Sequence, residues 1–162
     1  MPNNFVLKEW AIIGHALETG QQNFIARKGG LRDEEDVFNN LPQEFYLQAT
    51  YFHEHKNNIK PQYHKLFDAL NPPSLSVDQL ELSYTGVIIE KNKITTLAEL
   101  TAIHRDCLFT WDYLKSRFDY GSEPGLWIIE LNIKKLTPPL TFPMRDEYRG
   151  CKSWFCLSEG IP

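Results

Sequence analysis

The hydrophobic period of this chain changes twice between Leu80 and Leu131, and that change restricts the folds open to it more than any other feature. Leu80, Leu82 and Tyr84 alternate with polar residues, and Val87-Ile88-Ile89 follow just beyond Gly86. A period of two sends successive side chains to opposite faces of a strand. One long strand is therefore expected, with a bulge at the glycine. From Leu97 the period lengthens: Leu97, Leu100, Cys107, Leu108, Trp111, Leu114 and Phe118 recur at helical spacing, as one broken helix or two short ones. Thr96-Leu97-Ala98-Glu99 has the spacing of a capping box, in which the Thr hydroxyl and the Glu carboxylate satisfy free helix amides, and Gly121 closes the segment. Leu126 to Leu131 is then almost continuously apolar, as a central buried strand would be.

The flanking stretches give further elements. Leu7, Trp10, Ala11, Gly14 and Leu17 predict an amphipathic helix that ends at Gly20. Asn23 to Arg27 fits a strand, after which Gly29-Gly30 permit a turn with positive φ. Residues 33 to 43 read as an acidic loop ending at Pro42, and Asp33-Glu34-Glu35-Asp36 as its solvated part. Phe45 to Tyr51 is aromatic and β-prone. His64 to Leu70 predicts a short helix that stops before Asn71-Pro72-Pro73. Thr137-Pro138-Pro139 through Pro143 reads as an extended connection that cannot pair normally in a sheet, and Ser153 to Leu157 as the last strand. Helix, strands, helices, strands is not the βαβ alternation of a parallel sheet. The expected class is α+β, with a curved, mostly antiparallel sheet or small barrel flanked by two to three helices.

With 162 residues, 42% of them hydrophobic and 13% aromatic, the chain has apolar area enough to offset the entropy of ordering it. Residues 1–162 read as one domain, because either flank of the Pro72-Pro73-Ser74 stretch is too small to be stable alone. A net charge of -4 argues against a polybasic coat for nucleic acid or anionic membrane but leaves room for a local basic patch. Cys107, Cys151 and Cys156 are odd in number and form no CxxC. The start carries no apolar signal segment, and no apolar run approaches a membrane span. Reduced thiols in the cytoplasm, and no membrane partner, are expected.

Three clusters are candidates for chemistry. In Arg27-Lys28-Gly29-Gly30-Leu31-Arg32, cations surround glycines that let a ligand approach the backbone amides, and phosphate is the natural ligand. The alternative is a solvent-exposed glycine turn. In Tyr51-Phe52-His53-Glu54-His55, a strand would project His53 and His55 from one face, where a shared metal needs a third ligand such as His64 or His104. Without one, no metal is assigned, and His53 is a phosphate or base contact instead. In Tyr148-Arg149-Gly150-Cys151-Lys152-Ser153-Trp154, the thiol sits between cations that favour a thiolate, although neither a base nor an oxyanion site can be placed. The alternative is a tight turn into a strand whose Trp154 packs in the core. Glu90-Lys91-Asn92-Lys93 misses the Glu-x-Lys spacing of a nuclease strand, and no GxGxxG or HExxH occurs.

Leu7-Lys8-Glu9-Trp10, Ala26 to Arg32, Phe45-Tyr46-Leu47 with Thr50-Tyr51-Phe52-His53, and Tyr148 to Trp154 together resemble a bacterial family of unknown function, DUF1802, over nearly the whole chain. Ala49 departs from it, a proline being expected there. The resemblance implies a restriction–modification context, since some members occur alongside a restriction-endonuclease-like domain. The first unit, with Gly20 ending a helix before a strand that bears Arg27, is also similar to the opening of PUA-like modules of the ASCH type. That likeness implies a small curved barrel that binds RNA or modified bases.

The reading that follows is a non-catalytic nucleic-acid-binding accessory module of a restriction or defence system, with no cofactor. DNA or RNA is one partner and a restriction-system protein another. Arg27, Lys28 and Arg32 contact phosphates, Gly29 and Gly30 allow close approach, and His53 and Trp154 contact or stack on a base. The rivals are a hydrolase or nuclease, metal-dependent or His-based, using His53, Glu54 and His104, and a protein-interaction domain.

Overall fold

The computed structural model describes residues 4–28, 42–51, 55–70 and 78–158. In chain order the elements are β1 (Phe5–Trp10), α1 (Ala11–Glu18), β2 (Phe24–Arg27), β3 (Glu44–Thr50), α2 (His64–Ala69) and β4 (Gln79–Ile94). Then come α3 (Leu97–Arg105), α4 (Trp111–Asp119), β5 (Leu126–Pro143) and β6 (Trp154–Cys156). The six strands form one sheet in the order β2-β5-β4-β3-β1-β6. β1 and β3 run parallel and the other neighbours antiparallel, so the fold is α+β with a mixed, mostly antiparallel sheet. Among the described residues no helix is long and apolar enough to cross a membrane.

The segment expected to be helical from Leu7 divides at Trp10: residues 5–10 are a strand, and the helix begins at Ala11. Both sides of β1 are taken, with Val6 and Leu7 opposite Tyr46 and Leu47 of β3 and opposite Phe155 and Trp154 of β6. Both side chains are fully buried, on opposite faces. Two ladders and burial on both faces outweigh a helical period that rested on few positions. The helix ends as the glycine requires. Gly20 has φ of 74°, its N–H donates to the Leu17 carbonyl at 3.4 Å, and the Gln21 N–H donates to the Ala16 carbonyl at 2.9 Å. That pair of bonds is the Schellman arrangement.

Gly86 is not a bulge. It pairs in register with Phe45 and Ile133, and the irregularities of the β4–β5 ladder lie between Leu82 and Tyr84 and between Ile88 and Glu90. A Cβ there would stand 2.4 Å from the Phe45 ring and 2.7 Å from Ile133, so the missing side chain makes room for the fully buried Phe45. The proline-rich stretch also differs from expectation, because β5 continues through it and Leu140 to Pro143 pair with Leu82 to Gln79. Pro138 and Pro139 fall in the irregularity opposite Ser83, outside the paired register, where a missing N–H costs no ladder bond.

The helical segment resolves into two helices, each capped by a threonine. Thr96 and Glu99 form the complete capping box of α3, and the Thr110 hydroxyl accepts the Tyr113 N–H at the start of α4. The larger core lies where α1, α3 and α4 cover the sheet around Leu7, Ile12, Phe45, Leu47, Leu100 and Leu114. A smaller one, around Val6, Tyr46, Leu80, Leu82, Tyr148 and Phe155, occupies the other face. The buried Gln22 side chain ties two segments together. Its amide donates to the Phe24 carbonyl at 2.6 Å, and its carbonyl accepts the Leu108 N–H at 2.9 Å.

The sheet is strongly curled. β2 is one edge, and β1 stands four strands away, about 19 Å in a flat sheet with roughly 4.8 Å between neighbours. Yet Arg27 of β2 donates directly to the Lys8 carbonyl of β1 at 2.5 Å and to the Ser153 hydroxyl, just before β6, at 3.3 Å. One arginine side chain spans that gap only if the two edges have come round to face each other. Arg27 therefore latches the two sides of an incomplete barrel.

Candidate functional site

At the latch, the ends of β1 and β2 and one side of α4 enclose an open cleft. Its polar wall is Arg27 with Glu9. One guanidinium nitrogen, Nη2, donates to the Glu9 carboxylate at 2.8 Å, and the other carboxylate oxygen accepts the Trp10 N–H at 2.8 Å. Glu9 is only 7% exposed, and this neighbour is the opposite charge beside it. The Nε atom of Arg27 is buried and has no hydrogen-bond partner among the described residues.

The facing wall is aromatic. Trp10 meets Phe109 edge-on at 5.4 Å and Tyr113 at 5.6 Å, and Phe109 lies 4.9 Å from Tyr113. Leu114 and Leu126 also line the cleft, as do the cations Lys28 and Arg117. Burial raises the Tyr113 phenol above its usual range; the Arg117 charge counters this, Glu9 adds to it, and Arg27 counters it. The ring thus presents a neutral hydroxyl.

Arg27 lies in the wall of the cleft as a polar anchor, whereas Lys28 points elsewhere. The Lys28 ammonium donates to the carbonyls of Phe118 at 2.9 Å, Glu123 at 2.7 Å and Gly125 at 3.1 Å. Those bonds use all three of its protons, so it offers a ligand its charge rather than a hydrogen bond. Burial holds its pKa below the ordinary lysine value, helped by Lys93 and Arg117 and opposed by Asp119 and Glu123. Trp154 is half-buried and packs edge-on against Phe45 at 5.3 Å, with its indole N–H buried and unpartnered among the described residues. Gly29, Gly30, Arg32 and His53, and with them Glu54, lie outside the described residues.

The other sequence candidates do not converge on the cleft. His55 is exposed, and a ring nitrogen of His64 lies 2.8 Å from the Ile59 carbonyl. His104 packs edge-on against Trp111 at 5.5 Å, its pKa lowered by burial and then by Lys60. Among the described residues, no three His, Cys, Asp or Glu side chains gather where they would hold a metal. Cys107 is buried, and burial pushes its thiol up. Cys151 is exposed on a turn organised by Lys8, whose ammonium donates to the carbonyls of Tyr148 at 2.6 Å and Gly150 at 3.0 Å and lies over the Phe155 ring.

Glu9, Trp10, Phe109, Tyr113 and Arg117 belong to no cluster that the sequence marks as a site. In the sequence Trp10 is one point on an expected helix face. Tyr113 and Arg117 stand four apart on α4, a spacing that puts both on one side, and that was the available signal.

A comparison with curated proteins gives no match. Among solved structures, the crystal structure of a mutant form of the ZmASCH protein from Zymomonas mobilis is similar, with a TM-score of 0.55 and 10% sequence identity. The similarity covers 98% of this chain and 92% of that one. At that identity it shows the fold, which is the ASCH, PUA-like type. A family model described as a domain of unknown function, DUF1802, matches residues 6–160. The match takes in every described strand and helix but for the first residue of β1, and the chain belongs to the DUF1802 family.

Proposed function

We propose that this domain binds single-stranded nucleic acid and takes one base into the cleft between β1, β2 and α4. The observation that carries the reading is the pairing of two unlike walls. Trp10 and Tyr113 offer aromatic surface, and opposite them stands the Arg27–Glu9 pair, whose buried Nε donor has no partner among the described residues. A base has both features in complement, a π-face to stack and an edge of donors and acceptors. Arg117 and the charge of Lys28 also line the cleft, as cations for a phosphate attached to that base. The acidic total of -4 is no obstacle, because surface fields decay within about 10 Å at physiological salt.

In this reading Arg32, with Gly29 and Gly30, extends the phosphate contacts along the chain, and His53 adds a base contact. Trp154 acts through its neighbour Ser153, which orients Arg27. The module is non-catalytic and serves a restriction or other defence system, the setting that the family resemblance implies.

The test is a fluorescence-anisotropy titration of the protein with short single-stranded and duplex RNA and DNA across a salt series. Single strands should bind more tightly than duplexes, with log K falling linearly in log salt. Trp10→Ala should weaken binding about tenfold or more, since stacking of one base contributes roughly 1–3 kcal/mol. Absence of binding to every one of these ligands at low salt overturns the proposal.

A further inference from the structure

The walls of the cleft continue beyond it. Arg117, which lines the cleft, places its guanidinium 5.6 Å from the centre of the Tyr120 ring, and Tyr120 is 66% exposed. On the other side Gly125 brings two strands together. Its carbonyl holds the Lys28 ammonium, and the Lys93 side chain lies 3.6 Å from where a Gly125 Cβ would stand. The Ile94 carbonyl is only 3.0 Å from that point, so a side chain at Gly125 would press on that backbone. Lys93 then reaches over the Trp127 ring at 5.9 Å.

Cation and aromatic thus alternate along one rim: Lys93 with Trp127, Lys28 in its cradle, Arg117 with Tyr120. Neither Lys93 nor Arg117 forms an ion pair among the described residues. Of the nearby acids, Asp119 is engaged by Lys115, and Glu123 remains as the counter-charge. A large ring that stays two-thirds exposed beneath a cation serves no core. An unpaired cation over an aromatic face matches the repeating chemistry of a single strand, phosphate then base.

We propose that this rim is a second nucleotide subsite, in which the phosphate next to the base in the cleft lies between Arg117 and Lys93 and the following base stacks on Tyr120. The inference rests on the cleft reading and names its ligand more closely, as a single strand of at least two nucleotides. Lys28 sets the local field without touching the phosphate. A duplex does not fit, because its bases are already stacked on one another.

The experiment is a competition series with unlabelled single-stranded RNA of one to six nucleotides against a fluorescein-labelled hexamer, with wild type, Tyr120→Ala, Lys93→Gln and Trp10→Ala. Wild type should gain about tenfold in affinity from one nucleotide to two, the scale of one stacked base. Tyr120→Ala should lose most of that gain while keeping wild-type affinity for the mononucleotide. Lys93→Gln should lower the slope of log K against log salt by about 0.7, one phosphate contact on a single strand. Thermal melts that match wild type exclude misfolding of the variants. An undiminished gain in Tyr120→Ala, with Trp10→Ala still losing the mononucleotide, overturns the rim and leaves the cleft standing. No binding of any length by wild type overturns both.

Discussion

Arg27 and Lys28 are adjacent and carry the same charge, yet they sit in opposite kinds of surroundings. Lys28 has three donors and three carbonyls to receive them, at the C-terminal end of α4 and in the turn that follows. Arg27 faces a buried carboxylate, reaches across the open side of the barrel, and keeps one buried donor without a partner among the described residues. A saturated cation secures its own structure and leaves a ligand its charge but no hydrogen bond. An unsatisfied buried donor is rare in native proteins and asks for a partner not yet present. Positive charge in the sequence therefore marks both residues, while only the inventory of donors tells the latch at the site from the bolt beside it.

The sharpest way to break that comparison is Arg27→Met. It strands the Glu9 carboxylate in a site where it is 7% exposed and unfastens β2 from β1. Removing one partner of a buried pair costs about 3–5 kcal/mol, and the low end applies because the Arg27 side chain keeps 20% of its surface exposed. Urea unfolding at neutral pH should show a loss of about 3 kcal/mol, with single-strand binding abolished. Adding Glu9→Leu should restore much of the stability and none of the binding, because no buried charge is then left alone. Recovery of binding in the double variant would contradict the role assigned to the pair.

Lys28→Met should cost less, about 1 kcal/mol in the same assay. The variant loses three hydrogen bonds and a cation at a helix C-terminus. It also relieves a desolvated charge crowded by Lys93 and Arg117. The two effects oppose each other, which is why the neighbour with more hydrogen bonds to carbonyls is the cheaper one to remove. Single-strand binding should persist, weakened less than by Arg27→Met. A loss of stability larger than that of Arg27→Met would reverse the comparison.

What the sequence showed and what it concealed divides along the same line. The capping box at Thr96, the Gly20 terminus and the strands around Phe24 and Phe45 were legible, because each depends on residues within a few positions. β1 was hidden, because its partners lie about 40 residues away in β3 and almost 150 away in β6. Gly86 has the sequence pattern of a local irregularity, but its reason is a ring from another strand. The Arg27 cluster was visible as charge and glycine, but its partner Glu9 lies 18 residues earlier and the Lys28 carbonyls lie 90 to 97 residues later. The cleft combines β1, β2 and α4, and no local motif contains all three.

The smallest expected effect tests whether the cleft is separate from the helical layer beside it. His104 lies on α3 against Trp111, away from the cleft lining, and burial followed by Lys60 holds its pKa below the ordinary histidine value of 6.5. Between the folded pKa and that of the unfolded chain, the unfolded state binds more protons, so stability rises with pH across that window. Stability should therefore be full above the unfolded value and decline as pH falls through the window. It should level off once both states are protonated. A His104→Gln variant should flatten the wild-type slope between neutral and mildly acidic pH in urea unfolding, while its oligonucleotide affinity follows wild type at each pH. A parallel change in affinity would show that α3 and the cleft act as one unit, and the division between latch and surroundings would have to be drawn further out.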